Sequence, residues 1–411
     1  EDLGDKNSKM AVTLVFRLKN VTPDVWNQIK KRLNGDDDPG SGATERSAWG
    51  YKEMYQYQES NKGRVKMRGL NIGRQNDNTV LINALQIFGI DGTNPQSRAE
   101  AFEIGRKEVP LVVEYMKQLY PEFAGVELDS TAPELYVRET RHMVGEYRLH
   151  ILDVLENRDQ WDRIAFGSYD VDIQRTSATD SGAVVCVPEQ YAIPFRSIVP
   201  KSVDGLLVVG RAASFDSLPH GSARTIPVGM ATGQAAGAAV KVAKERGLTF
   251  REMSRDRAAI ALLQQRLNAQ GMELHPYTEP KQPYELHRHY SGLKAVLTFG
   301  LVSGKYDNNF RLDEKANPVD YSLLYSRVRG YFGEKKLPVD PAYLLPAEAA
   351  KLAARTAEPL TLGEALKIAA AALGLDAAAG AEAALKAGGY LKDATLQGIR
   401  DTSALTNGES Y

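Results

Sequence analysis

The first half of the chain alternates between segments whose apolar positions predict strands and segments that predict helices. Residues 10–19 are rich in β-branched and apolar side chains and predict a strand. Thr22 stands where a capping residue is expected and Pro23 follows it, which together predict a helix start. Residues 97–120 repeat apolar positions at helical spacing on both sides of Pro110, which indicates two helices or one kinked helix.

Further segments extend this pattern. Trp49 to Met67 alternates aromatic and polar residues and predicts sheet, and residues 78–88 predict another strand. Residues 34–46 are rich in Gly, Asp and Ser and predict an exposed loop. Residues 134–150 predict a strand or a short helix, and residues 250–270 predict a polar helix.

The segment from 203 to 246 carries the most chemical information. Residues 205–210, Gly-Leu-Leu-Val-Val-Gly, predict a buried central strand. Residues 228–246 predict a helix rich in Gly and Ala, and a loop with His220 is expected before it. Ligands of such sheets lie beyond the C-terminal ends of the strands, where Gly210 would permit close approach of a ligand.

The predicted helix has two features that bear on ligand binding. Its N-terminus would present unpaired N–H groups and a partial positive charge, which suit a ligand with negative charge. Gly229, Gly233 and Gly237 recur every four residues and leave one face nearly bare. For this glycine stripe taken alone, close packing of the helix is the simpler interpretation.

Composition limits the function classes. A chain of 411 residues predicts two or three domains, and 43% hydrophobic with 25% charged residues is typical of soluble globular protein. A net charge of -1 argues against a general nucleic-acid binder. The lone Cys186 excludes a disulfide within the chain and is expected in the core. No apolar run reaches the roughly 20 residues of a transmembrane segment.

Several blocks together resemble the FAD-dependent oxidoreductase family. They are Arg138–Tyr147 (Arg-Glu-Thr-Arg-His-Met-Val-Gly-Glu-Tyr), Gly167–Ile173 (Gly-Ser-Tyr-Asp-Val-Asp-Ile), Tyr191–Pro200 and the stretch 203–240. The His-Gly-x-x-Arg motif at 220–224 is also similar, more distantly, to succinate dehydrogenase and fumarate reductase flavoproteins. The resemblance covers roughly residues 1–250.

The resemblance implies an α/β fold, with a partial Rossmann-like FAD-binding domain and a mixed β/α substrate domain. The pattern from residue 291 onward predicts an α-helical C-terminal module. The composition also shifts near residue 275, where prolines replace aliphatic residues. The expected division is a strand region of the FAD-binding domain at 1–20, a substrate domain at 21–165, the rest of the FAD-binding domain at 166–270, a linker at 271–290 and the helical module at 291–411.

The resemblance further implies FAD as cofactor and hydride transfer between flavin and a small-molecule substrate, with an unknown electron acceptor. The implied catalytic residues are His220 and Arg224, for which the alternatives are a turn residue and a structural ion pair. The implied cofactor contacts are Gly210, Arg211, Gly221, Gly229, Met230, Thr232 and Gly233.

The sequence departs from the family pattern at two points. No Gly-x-Gly-x-x-Gly occurs in it, so the dinucleotide-binding strand, turn and helix of the family are expected upstream of residue 1. Gln174 stands where family members often carry His.

Residues 291–323 resemble an S-layer-homology repeat, with a second, degenerate unit from Leu360 to Asp393. The usual Thr-Arg-Ala-Glu block is missing near Asn317-Pro318-Val319-Asp320, which weakens the case for cell-wall polysaccharide as a partner. The alternatives to an enzyme are a non-catalytic cell-envelope protein on a flavoprotein-like scaffold and a carbohydrate-binding surface protein. Location at the cell surface, secretion and the cytoplasm all stay open.

Overall fold

The computed structural model describes residues 9–332 and 356–411, which form a mixed α/β structure of two compact units. The first unit comprises Glu1–Val144, Ile173–Ala183 and Val208–Ser214. The second comprises Gly145–Asp172, Val184–Leu207 and Phe215–Tyr411. Predictions that fall on residues 1–8 and 333–355 lie outside the described residues. The partial Rossmann-like domain and the five-part division stay predictions.

The first unit contains two antiparallel sheets. Its strands are β1 (Val12–Thr13), β2 (Phe16–Lys19), β3 (Gly42–Ala43), β4 (Ser47–Gly50), β5 (Val65–Met67), β6 (Leu70–Arg74), β7 (Val80–Ile82), β8 (Leu85–Ile87) and β9 (Glu127–Thr131). Six of them pair in the order β3-β4-β6-β7-β2-β9, and the other three pair in the order β1-β8-β5.

Two predicted strands are each divided between these sheets. The segment 10–19 forms β1 and β2, and the segment 78–88 forms β7 and β8. Leu14 and Ala84, at the two crossings, are fully buried. The sequence pattern did not reveal the corner at which the chain leaves one sheet for the other, because residues at such a corner are buried on both sides and do not alternate.

The prediction of continuous sheet from Trp49 to Met67 is wrong over its middle. After β4 the backbone of Tyr51 adopts a left-handed conformation with φ 60, and a short 3-10 helix follows at Lys52–Gln56. Tyr51 is buried, and its hydroxyl donates to Glu122 Oε1 at 2.9 Å. A buried aromatic side chain thus stands at a turn, where the sequence pattern suggested a strand.

The helix predicted after Thr22 is confirmed as α1, Pro23–Leu33. Thr22 Oγ1 accepts the N–H of Val25, and Asp24 lies in the first turn, so the start follows the expected capping chemistry. The face carrying Trp26 is buried in the main core of the unit.

The segment around Pro110 is one helix, α2, Pro95–Leu119. A proline inside a helix costs about 3 kcal/mol. Val109, Val112 and Val113 on either side are all buried, and each buried valine contributes on the order of 1.5 kcal/mol or more. Packing of this face therefore offsets the lost hydrogen bond and keeps the helix continuous.

The second unit contains the antiparallel pair β10 (Arg163–Gly167) and β13 (Tyr191–Pro194). Short strands β11 (Asp172–Ile173) and β12 (Ala183–Val184) lie between them in sequence. The helices up to residue 269 are α3 (Ile151–Leu155), α4 (Ser217–Ala223), α5 (Ile226–Arg246), α6 (Phe250–Met253) and α7 (Arg257–Ala269). Both α5 and α7 pack against β10.

Two predicted elements of the family blocks are absent from the described chain. Residues 134–150 form neither a strand nor a helix, although isolated β-bridges pair three of these residues with other segments. Residues 205–209 form no strand, and Leu206 is 48% exposed. An apolar run becomes a central strand only where neighbouring strands can pair with it, and the described residues supply none for 205–209.

The C-terminal residues of the second unit are helical, as predicted. The helices are α8 (Tyr290–Thr298), α9 (Pro318–Phe332), α10 (Leu362–Ala372), α11 (Ala381–Ala387), α12 (Asp393–Gln397) and α13 (Asn407–Ser410). Thr361 caps α10 by accepting the N–H of Glu364 at 3.2 Å. In the described part of the chain no helix combines the length and apolar character that a membrane crossing requires.

Candidate functional site

The helix start predicted to meet a ligand is exposed and uncapped. α5 begins at Ile226, two residues before the predicted start, with Thr225 at the N-cap position. The side chain of Thr225 makes no capping hydrogen bond. Ile226 is 78% exposed and Met230, one turn later, is 71% exposed. Pro227 has no N–H and the N–H of Gly229 donates to Thr225 O, so the N–H groups of Ile226 and Val228 are those left at this helix start for an electron-rich or anionic ligand.

The glycine stripe of α5 is also open. A Cβ placed on Gly233 or Gly237 would meet nothing within 4 Å, so these glycines do not serve close packing against the described residues. Gly229 and Gly233 are half-buried. Thr232 is different, since it is fully buried and its hydroxyl donates to Val228 O at 2.9 Å. This position favours a structural role for Thr232 over the predicted cofactor contact.

His220 and Gly221 belong to a helix rather than to the predicted loop. Asp216 has an extended backbone at the N-cap of α4, and Pro219 lies in the first turn, where proline is tolerated. His220 and Gly221 are buried within α4. Direct contact between His220 and a substrate stays a prediction, and its burial favours the structural alternative.

Arg224 makes the ion pair that was the alternative to ligand contact. Its side chain is buried, and Nη2 lies 3.2 Å from Asp172 O and 3.4 Å from Asp172 Oδ2. Burial raises the pKa of Asp170, and the neighbouring charge of Asp172 raises it further. Burial also raises the pKa of the half-buried Tyr169 phenol. Tyr169, Asp170, Asp172 and Arg224, here called the Arg224 cluster, therefore combine a fixed cation with groups able to hold a proton.

A buried hydrogen-bonded chain connects this cluster to α4. The Tyr191 hydroxyl donates to Ser222 Oγ at 2.7 Å, and Ser222 Oγ donates to the carbonyl of Tyr169. Tyr191 lies opposite Gly167 in the pair of β10 and β13. The Gly-Ser-Tyr block is thus fixed in place at both its glycine and its tyrosine.

One charged pair of the second unit was not foreseen from the sequence. His150 Nδ1 lies 2.6 Å from Asp216 Oδ2, and Arg148 Nε lies 3.4 Å from Asp216 Oδ1. The hydrogen bond to Asp216 raises the pKa of His150. His150 and Asp216 are 66 positions apart, and a lone exposed His carries no sequence signal that would identify its partner.

The Gly-Arg turn lies in the first unit. Gly210 has φ 65, and Gly210–Ala212 forms a 3-10 turn that leaves Arg211 exposed. The carbonyl of Ala212 accepts the N–H of Met143 at 2.9 Å. A Cβ on Gly210 would meet nothing within 4 Å, so glycine is needed there for backbone conformation rather than for space.

A family model described as FAD dependent oxidoreductase matches residues 2–267, more than half of the chain. The chain belongs to this family. FAD is therefore its cofactor, and flavin-linked redox activity is its general function. No curated protein and no solved structure matches the chain.

Two features of this FAD dependent oxidoreductase, one in each unit, fit FAD. In the second unit, the uncapped and exposed start of α5 offers N–H groups to an electron-rich ligand. In the first unit, the exposed Arg211 offers a guanidinium to an anionic ligand.

Cys186 is buried, and burial raises the pKa of its thiol to about 12. The thiol is therefore a core residue, as predicted.

The open face of the six-stranded sheet gives the oxidoreductase a further concave surface. A shallow pocket of about 470 Å³ lies on it, bordered by the partly exposed Trp49 and Leu81 and by the amides Asn71 and Asn83. The sequence shows only an aromatic and polar alternation here, because the pocket combines strands that are distant in sequence. An apolar floor with a few amides suits a small organic molecule.

Proposed function

We propose that this chain is the flavin-facing part of an enzyme that transfers a hydride between a small organic substrate and FAD. The match of residues 2–267 to the FAD dependent oxidoreductase family carries the proposal. The exposed start of α5 supports it, since N–H groups without a side-chain cap are accessible there to an electron-rich ligand.

Bound FAD supplies the hydride chemistry. The protein contributes binding and electrostatics. The N–H groups at the start of α5 would stabilise negative charge on a ligand beside them, through the partial positive charge of the helix end. Met230, and the open surface over Gly233 and Gly237, would provide apolar contact with a flat ring.

Proton transfer is assigned to the Arg224 cluster rather than to His220. A hydride that leaves carbon is usually accompanied by a proton that leaves an attached oxygen or nitrogen. The half-buried Tyr169 and Asp170, both with raised pKa, can exchange such a proton. Arg224 would hold Asp172 in place through their ion pair.

A charge placed at the start of α5 tests the proposal. Ile226→Glu adds a carboxylate at the first helical position, where a negative charge favours the helix itself but repels an anionic or electron-rich ligand. We expect the Kd for FAD to rise about tenfold in full-length protein, measured by quenching of flavin fluorescence.

Val240→Glu is the matched control, since Val240 is also exposed on α5 but lies four turns away from its start. Its Kd for FAD should stay within twofold of the wild type. Purified wild-type protein without flavin absorbance after incubation with FAD would contradict the proposal and favour a non-catalytic envelope protein.

For the C-terminal helices we infer an attachment role related to S-layer-homology modules. The helix, loop and helix of 290–332 and the cap at Thr361 support this, together with a core of their own: Ala316, Tyr321, Leu360, Ala365, Ile368 and Leu405. Co-sedimentation of full-length protein with purified cell wall tests the role, and recovery only in the supernatant would contradict it.

A further inference from the structure

The pocket of about 470 Å³ on the open face of the six-stranded sheet, here called the sheet-face pocket, has a definite chemical character. The neighbouring strands β4, β6 and β7 form it, and Val15 and Asn83 complete its lining. All the lining residues belong to the first unit. Strand side chains alternate between two faces, and the other face fills the main core of this unit, so the pocket lies on the face left for solvent or a ligand.

A glycine creates the hollow. Gly73 lies opposite Ser47 on β4 and opposite Leu81 on β7, so it occupies the middle of a cross-strand row. A Cβ on Gly73 would meet only the side chain of Gln75, at 3.8 Å, and the backbone of Gly73 is that of an ordinary strand. Neither close packing nor backbone conformation therefore requires glycine there, and its effect is to leave space above the sheet.

Trp49 forms one wall of the pocket and is held in position. It lies opposite Gly42 on β3 and opposite Asn71 on β6. Indole atoms Cζ2 and Cε2 lie 2.7 and 3.1 Å from the point where a Cβ on Gly42 would stand, so the ring leans over that glycine. The side chain is nonetheless 40% exposed. An indole that is fixed and still accessible suits contact with the apolar face of a ligand.

Polar groups without charge stand beside the indole. The side-chain amide of Asn71 has no hydrogen-bond partner in the part of the chain that the structure describes, so it offers both donors and an acceptor. Asn83 Oδ1 accepts Arg138 Nη2 at 3.4 Å, which leaves the amide N–H groups of Asn83 as donors. The Ser47 hydroxyl, 3.0 Å from Thr44 Oγ1, adds a further group of the same kind.

The pocket is electrically neutral. None of the described residues that line it carries a charge. Arg17, which lies opposite Leu81 on the same face, is paired with Asp77 and Asp129. An ionised ligand would lose hydration here without gaining a partner for its charge, whereas a neutral ligand would not. The chemistry of the lining therefore selects an uncharged molecule with one apolar face and several hydrogen-bonding groups.

We propose that the sheet-face pocket binds an uncharged ring that carries several hydroxyl groups, the chemistry of a neutral monosaccharide. The C–H face of the ring packs on Trp49 above Gly73, and its hydroxyl groups, which both donate and accept, bond the amides of Asn71 and Asn83. The inference deepens the proposed function, on which it rests for the fate of the ring. A ring carbon that loses a hydride to FAD and its hydroxyl proton to a base becomes a carbonyl, while FAD is reduced.

Saturation-transfer NMR and calorimetric titration of full-length protein incubated with FAD test this proposal, with D-glucose, D-galactose, D-mannose and myo-inositol as probes. We expect at least one probe to bind the wild type. Trp49→Ala should raise its Kd about tenfold. Gly73→Val fills the hollow and should raise the Kd by about tenfold or more, while the thermal midpoint is kept or rises because valine favours strands.

Gly125→Val is the matched control, since Gly125 is exposed in the same unit, a Cβ on it would meet nothing within 4 Å, and it lies outside the pocket. Its Kd should stay within twofold of the wild type. Binding of no probe to the wild type overturns the inference, as does a Kd that Gly73→Val and Trp49→Ala leave unchanged. Binding of benzamide but of none of the four probes also overturns it, because the pocket then takes a flat aromatic ring.

Anaerobic incubation with the bound probe tests whether the ring is the substrate. Bleaching of the visible flavin absorbance, lost in Gly73→Val, supports that role, and binding without bleaching contradicts it. The proposed function fails separately, since wild-type protein that takes up no flavin contradicts hydride transfer even where the probe binds. Flavin absorbance without binding of any probe removes the sugar site alone.

Discussion

His150 shows how a single residue can be placed by the fold without a signal in the sequence. Its imidazole is hydrogen-bonded to Asp216, which also forms the N-cap of α4 and faces Arg148. Asp153 lies nearby and also favours the charged imidazole, whereas Arg148 opposes it. The net effect raises the pKa of His150, so the charged form is favoured in the folded state.

This shift predicts a pH-dependent contribution to stability. Because the folded pKa of His150 exceeds its unfolded value, the contribution is fully present below about pH 6.5 and is lost as pH rises through the folded pKa. His150→Gln should cost about 0.5 kcal/mol at pH 5.5, since the pair is half exposed, and almost nothing at pH 9. Urea unfolding at both pH values measures the difference. His275→Gln, at an exposed histidine, should show no such dependence.

Among elements, the pair of β10 and β13 explains why the Gly-Ser-Tyr block begins with glycine. A Cβ on Gly167 would lie 2.4 Å from the ring of Tyr191, which is itself fully buried. The ring covers the glycine and carries the hydroxyl that holds Ser222. Packing against Tyr191 thus explains the glycine of a block that the sequence analysis identified only by resemblance.

We therefore expect Gly167→Ala to destabilise the protein by about 1–3 kcal/mol, because the methyl group must displace a buried ring. The comparison is Gly237→Ala in α5, where a Cβ meets nothing within 4 Å and alanine gains about 0.5–1 kcal/mol of helix propensity. Thermal unfolding should move the two midpoints in opposite directions. A Gly167→Ala midpoint equal to that of the wild type would contradict this account of the block.

Elements with local chemical signals were predictable from the sequence, and elements set by distant partners were not. Helix α1, which Thr22 caps, and the glycine-rich helix α5 each begin within two residues of the predicted start. The strand predicted at 205–210 is wrong, because no strand among the described residues pairs with this segment. Likewise, the sequence identified His220 and Arg224 but not their burial, which depends on what packs over α4.

At the scale of the molecule, the two units hold different parts of the proposed chemistry. The first carries the Gly-Arg turn and the sheet-face pocket. The second carries the start of α5 and the Arg224 cluster. The family match ends at residue 267, whereas the core that includes Ile368 is formed wholly by residues beyond that limit. Flavin binding should therefore be independent of that C-terminal core.

A cavity in this core tests that independence. Ile368 is buried among Tyr321, Leu360 and Leu405, so Ile368→Ala should cost about 2–4 kcal/mol locally. Hydrogen exchange should accelerate in 360–405, while the Kd for FAD stays within twofold of the wild type. Lys367→Ala, at the exposed neighbouring position, should change neither quantity. A rise in the Kd for FAD in Ile368→Ala but not in Lys367→Ala would show that the C-terminal core supports the flavin site, because a cavity in this core can change flavin binding only if the two are energetically coupled.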